Sequence, residues 1–242
     1  MARTIVPSEL LQSTNNNIKI GDTALDSVDT TSPDTAADNV AIGNAALTAN
    51  LFGNDNVAVG SNALAANTTA SENTALGSEA LDANTTGAEN VAVGYNSLGS
   101  NTTANYNVAI GKSALSANTT GSYNTGVGKG ALESNTTSAN NVAVGYEALS
   151  TNSTGNGNTA VGTVAATGNT TGSNNTAVGY GAGDAITTSA SNTLVGALAG
   201  SAHATGAGLT AFGFEAGLVN TNSGNTFIGT EAGESNTTGY NN

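Results

Sequence analysis

The sequence predicts an all-β chain folded as a parallel β-solenoid, about 13 rungs of 17 residues. Three observations carry this. A glycine returns every 17 residues, a short β-branched segment precedes it each time, and the composition leaves little material for helices. The chain has 242 residues with 32 Gly and 35 Asn, but only 4 Lys plus Arg, 4% aromatics, no Trp and no Cys. An all-α domain draws on Leu, Lys, Glu and Arg in quantity. Without Cys, a disulfide framework and a thiolate metal site are both excluded. A formal charge of −13 repels phosphate backbones, so nucleic acid is an unsuitable partner. No run approaches 18 apolar residues, so no membrane-inserting helix is expected.

Residues 1–16 are expected to form an N-terminal attachment or capping segment, and 17–242 the repeat domain. The first 11 residues carry a short apolar stretch cut by Pro7 and Glu9, which is not the continuous apolar core of a secretory signal. Release by lysis is the expectation that follows. The repeat opens with Ile18-Lys19-Ile20-Gly21. After 22 residues comes Gly43, the extra length falling within Asp26–Asp38, where Pro33 also lies. From Gly43 the glycine recurs every 17 residues through Gly60, Gly77, Gly94, Gly111, Gly128, Gly145, Gly162, Gly179 and Gly196 to Gly213. Gly229 follows after 16.

Around each glycine the unit reads Asn, Val or Thr, Ala, Val/Ile/Leu, Gly, two variable residues, Ala, Leu, then two variable residues and Asn-Thr-Thr-Gly. Asn stands four before the glycine in every copy but one, where Leu209 replaces it. Four after the glycine there is Leu in eight copies, from Leu25 to Leu149. In the last five it becomes Ala166, Gly183, Gly200, Gly217 and Gly233, a change of cross-section near residues 160–185.

A period near 17 is too short for a helix pair and fits one solenoid turn. Four β-branched or small residues suit one strand. Successive strand residues face opposite sides, so the large residues three and one before the glycine share a face, and the Ala between them looks away. Both faces are apolar, which predicts burial on both sides. One side serves the chain's own core, and the other needs a second copy of the chain. Val57, Val91 and Val142 are expected in one stacked column, and Val93 on an inner apolar face. Stacked turns about 4.8 Å apart align identical Asn residues into amide ladders. Thirteen rungs at that spacing make a rod of roughly 60 Å.

The iterated Asn-Val-Ala-Val-Gly-x-x-Ala-Leu unit, as at Asn56–Leu64, resembles the head repeats of YadA-like trimeric autotransporter adhesins. Joined by Asn-Thr-Thr-Gly, as at Asn84–Gly87, it is still more similar to repeats in bacteriophage tail fibres and other virion appendages. The resemblance covers about 17–242. It implies a left-handed β-roll and a homotrimer, and a structural fibre or spike protein of a virion, non-enzymatic and without cofactor. Its implied partners are its own copies, other virion proteins through residues 1–16 or the C-terminal rung, and host surface glycan. Autotransporters also carry a signal peptide, a heptad stalk and a membrane anchor, and their head repeat is usually shorter. Those departures favour the virion over the cell surface. A bacterial trimeric adhesin head and a self-assembling extracellular filament remain as alternatives.

No catalytic, cofactor-binding or metal-binding residue stands out. Gly111-Lys112-Ser113 imitates a P-loop, but that motif needs a glycine where Tyr106 stands. Gly126-x-Gly128-x-Gly130 is a repeat corner. His203, the only His, takes a position that Asn holds elsewhere. The sequons at Asn67, Asn84, Asn101, Asn118, Asn135, Asn152, Asn169 and Asn236 are read as turn residues rather than glycan acceptors. Acidic residues such as Glu72, Glu79, Asp82, Glu89, Glu133 and Glu147 read as a dispersed, solvated outer face. Tyr95, Tyr146 and Tyr180 directly follow the repeat glycine, and Tyr106 and Tyr123 directly precede the repeat Asn. They offer a stacking surface for host sugars, or are ordinary half-buried surface.

Overall fold

A computed structural model describes residues 15–27 and 36–241. The expected N-terminal attachment or capping segment lies almost wholly outside the described residues, as does most of the Asp26–Asp38 insertion. Among the described residues there are thirteen three-residue strands: β1 (Ile18–Ile20), β2 (Val40–Ile42), β3 (Val57–Val59), β4 (Thr74–Leu76), β5 (Val91–Val93), β6 (Val108–Ile110) and β7 (Thr125–Val127), then β8 (Val142–Val144), β9 (Thr159–Val161), β10 (Thr176–Val178), β11 (Thr193–Val195), β12 (Thr210–Phe212) and β13 (Thr226–Ile228). They form one parallel sheet in sequence order, each strand paired with the next. Eleven of these rungs, β2 to β12, keep the strict 17-residue spacing.

The register is one repeat per rung. Val57 pairs with Thr74, Thr74 with Val91, Val91 with Val108, Val108 with Thr125 and Thr125 with Val142. Val57, Val91 and Val142 therefore do share a column. The alternation of faces also holds, but its sense corrects the placement of Val93. The Ala at the strand centre, such as Ala58, Ala92 or Ala143, is fully buried and meets the turn-side Ala and Leu of the same chain. Val91 and Val93 look outward. Each rung is thin, so a small residue is what its interior accommodates, and the bulky β-branched residues go outside.

The turn after the strand explains the glycine. At Gly111 φ is +133°, and a Cβ there would come within 2.6 Å of the Gly128 carbonyl group of the next rung. Both the angle and the approach exclude a side chain. Four residues on, the Leu column (Leu47 to Leu149) is fully buried and held at φ of 50–53°. That left-handed conformation costs an L-residue about 1 kcal/mol or more, and burying a Leu side chain offsets it by roughly 1.5–3 kcal/mol.

Two amide ladders run through the core, the first from Asn17 to Asn192 and the second from Asn50 to Asn169. In the first, Asn56 Nδ2 donates to Asn39 Oδ1 (3.1 Å) and to the Ala70 carbonyl (2.9 Å), and Asn39 Oδ1 also accepts the Asn56 backbone N–H (2.9 Å). In the second, Asn118 Nδ2 donates to Asn101 Oδ1 (3.0 Å) and to the Gly121 carbonyl (2.9 Å), while Asn118 Oδ1 accepts from Asn135 Nδ2 (2.8 Å). These side chains are fully buried. Each one is satisfied only because its neighbour is identical, which is why the repeat keeps Asn at both positions.

Candidate functional site

The feature that reaches beyond the chain is the outward face of the sheet. Of its two columns, the one just before the glycine is Val, Ile, Leu or Phe on every rung, and the other is Val or Ile on six rungs and Thr on seven, including the last five. Leu76 is 47% exposed, Ile110 40% and Phe212 57%, with Val57, Val142, Val144 and Val161 also exposed. At thirteen rungs about 4.8 Å apart and a width near 10 Å, the stripe covers roughly 600 Å² in plan. With Thr on seven rungs of one column, the apolar part falls within the size of the largest patch on an ordinary monomer, a patch that is often functional. Among the described residues this is the only sheet, and no second sheet covers it.

Two further columns border the stripe. The residue before the repeat Asn gives Asp38, Asp55, Glu72, Glu89, Tyr106 and Tyr123 on successive rungs. The acidic residues expected to be dispersed thus include four stacked in line. Tyr106 and Tyr123 stack with ring centroids 5.0 Å apart and planes 12° apart. On the other border, the residue after the repeat glycine gives Asn44, Ser61, Ser78, Tyr95, Lys112, Lys129 and Tyr146. Lys112 Nζ sits 5.7 Å from the centroid of the Tyr95 ring, and Lys129 Nζ 5.1 Å from that of Tyr146. These are cation–π contacts. Among the described residues the only ion pair is Lys19–Asp26 at 3.5 Å, so neither lysine has a carboxylate partner. Spacing of 17 between like residues was the signal for both columns.

The tyrosine hydroxyls are tied to nearby acids. Side-chain hydrogen bonding and charge from Glu79 at Tyr95, Glu89 at Tyr106 and Glu147 at Tyr146 push each phenol above its ordinary value. Asp82 and Asp184 share a further column, and partial burial raises the pKa of both.

The other sequence motifs resolve into parts of the rung. Gly111 is a corner and Lys112 an exposed side chain beside the stripe. Gly126 replaces the central Ala of β7, and Gly128 and Gly130 are turn positions. His203 is fully buried, its Nδ1 2.7 Å from the Asn220 carbonyl and its Nε2 against that of Gly206. It occupies a ladder position, with no nitrogen facing solvent. The sequon residues from Asn67 to Asn169 are the second amide ladder and fully buried. Among the described residues no group of three or more His, Cys, Asp or Glu could hold a metal ion, and no helix is long and apolar enough to cross a membrane.

Compared with known proteins, the chain matches no family model, no curated protein and no solved structure. The fold defines it as a β-solenoid repeat protein with stacked Asn ladders.

Proposed function

We propose that this protein is a structural, non-enzymatic rod that works as a side-by-side oligomer, a homotrimer, serving a virion as a tail fibre or similar appendage. The carrying observation is the outward apolar column just before the repeat glycine, which runs from Ile20 to Ile228 through all thirteen rungs. A stripe of this size is unfavourable in water, at about 25 cal/mol for each Å² of apolar surface left uncovered, and the face of another copy is the natural cover for a repeating surface. Backbone pairing along the rod and burial between rods together make a stiff spacer. The exposed positions on the turn side, Leu51 and Phe52 among them, are then available to a host surface glycan.

The virion reading rests on the similarity of the repeat unit to those of phage appendages. It is tested by imaging particles from the native source with an antibody against this chain. Label on a fibre or spike supports the reading; label confined to cell surfaces or to free filaments replaces it with the adhesin or filament alternative.

A further inference from the structure

We infer that the two columns bordering the apolar stripe form the seam between neighbouring copies, the carboxylates of one copy facing amide and hydroxyl donors of the next, and its stacked Tyr106–Tyr123 pair facing Lys112 and Lys129. The inference rests on the side-by-side oligomer proposed above and adds which surfaces meet and in what register.

The argument begins with symmetry. Copies that cover one another's sheet face around an axis along the rod form a closed ring only if there is no net rise between them. Each rung then meets the same rung of its neighbour. The column before the strand lies at one border of the stripe and the column after it at the other. Rotation about the rod axis brings the first border of one copy to the second border of the next.

The residues can now be matched rung by rung. At β2, Asp38 meets Asn44; at β3, Asp55 meets Ser61; at β4, Glu72 meets Ser78; at β5, Glu89 meets Tyr95. On the first three of these rungs a carboxylate, an acceptor only, meets an amide or hydroxyl that can donate, while at β5 the Tyr95 hydroxyl is already engaged by Glu79 of its own chain. At β6 the first column changes from acid to Tyr106, and on that same rung the second changes to Lys112. At β7, Tyr123 meets Lys129. The two columns change character at the same height, and in none of the thirteen rungs do both carry a charge.

A lone rod explains none of this. Four carboxylates in line repel one another, and two adjacent lysines lie without a carboxylate in a chain that has 17 acidic residues. Across the seam the lysines gain a second aromatic face, worth about 0.5–2 kcal/mol each as burial increases. The in-chain Tyr106–Tyr123 stack presents those two rings as one surface.

The absence of native cysteine makes the test direct. In the full chain, Tyr123→Cys is combined with Lys129→Cys, and separately Asp55→Cys with Ser61→Cys, followed by mild oxidation and a denaturing gel. Within one chain each pair is six residues apart on opposite borders of an extended strand, up to about 20 Å, whereas a disulfide needs Cα atoms within about 7 Å. The expected result is a covalent species at a whole multiple of 23.4 kDa that matches the native mass of the assembly. The control, Asp38→Cys with Lys129→Cys, is five rungs out of level and should stay at the single-chain mass. An intact native oligomer in which both level pairs stay uncrosslinked overturns the seam and leaves the oligomer standing. A native protein that runs as a single chain overturns the oligomer itself.

Discussion

From the Leu47 rung to the Leu149 rung the core is filled from the turn side, and the strand contributes only Ala or Gly. From Ala166 onward the turn retreats to Ala and Gly, and the volume is restored from elsewhere. Gly183 lies where a Cβ would come 2.6 Å from Leu194 Cδ1 and 2.8 Å from Ile186 Cδ1. Leu194 replaces the central strand Ala, Ile186 replaces a ladder Asn, and both are fully buried. Gly217 is likewise covered by Phe227 of β13, whose Cδ2 is 3.0 Å from the position a Cβ would take. The early rungs bury Leu in a left-handed conformation; in the late rungs Gly183, Gly200, Gly217 and Gly233 adopt that conformation without strain, and the bulk comes from Leu194 and Phe227 of two strands and from Ile186 and Leu209 at positions that Asn holds elsewhere. The exchange has a polar consequence. Where Ile186 interrupts the second ladder, Asn169 Oδ1 is the one buried side-chain polar atom among the described residues with no hydrogen-bond partner. The interior volume is conserved, but the amide ladder is not.

The largest effect should come from breaking a ladder where it is whole. Asn118→Ala removes three buried hydrogen bonds and leaves Asn101 Oδ1 and the Gly121 carbonyl unpaired, at about 1–3 kcal/mol for each. Urea melts should show this as a loss of roughly 2–5 kcal/mol. Next, Leu115→Ala should cost about 2–5 kcal/mol by opening a cavity, whereas the reverse change in the late half, Gly183→Leu, should cost about 1–3 kcal/mol by overpacking against Leu194. If Gly183→Leu is neutral or stabilising, the volume exchange is refuted. Combining Gly183→Leu with Leu194→Ala and Ile186→Asn rebuilds the early rung at this level. The triple variant should recover the single variant's loss and gain about 1 kcal/mol as Asn169 Oδ1 acquires a donor.

The smallest effect concerns Asp184. Burial holds its carboxyl above the ordinary value, so the folded chain keeps that proton more tightly than the unfolded chain. The fold is therefore penalised as pH rises through the raised value, and not at all below the ordinary carboxylate range near 4. Asp184→Asn should raise the melting temperature at pH 7 and leave it unchanged at pH 3. Asp82→Asn should do the same in the early half.

Much of this was legible in the sequence because one glycine spacing sets the register of every strand. Once Gly43 and Gly60 are aligned, Val57, Val91 and Val142 must share a column, and Asn56 must stack on Asn39. The sense of the strand's two faces was not legible. Alternation distinguishes Val93 from Ala92 but does not say which one points inward, and large residues are normally expected inside. Rung thickness decides it, and that depends on how the turn folds back through the left-handed Leu. The replacement of Leu by Gly in the late rungs was visible, but its compensation by Leu194 and Phe227 was not, because those residues lie in a different part of the unit. The border columns were written in the sequence at the same 17-residue interval, and they emerge once each variable position is read down the rungs instead of along the chain.

The account turns on the outward stripe being covered by other copies, and one comparison tests it most directly: native mass and circular dichroism of the unaltered chain and of Val93→Asp. The unaltered chain should be a discrete oligomer. Val93→Asp, on the outward face, should keep the β-signal of the folded rod and fall to the single-chain mass. A single-chain mass for the unaltered protein, or loss of the folded signal in Val93→Asp, would contradict the account.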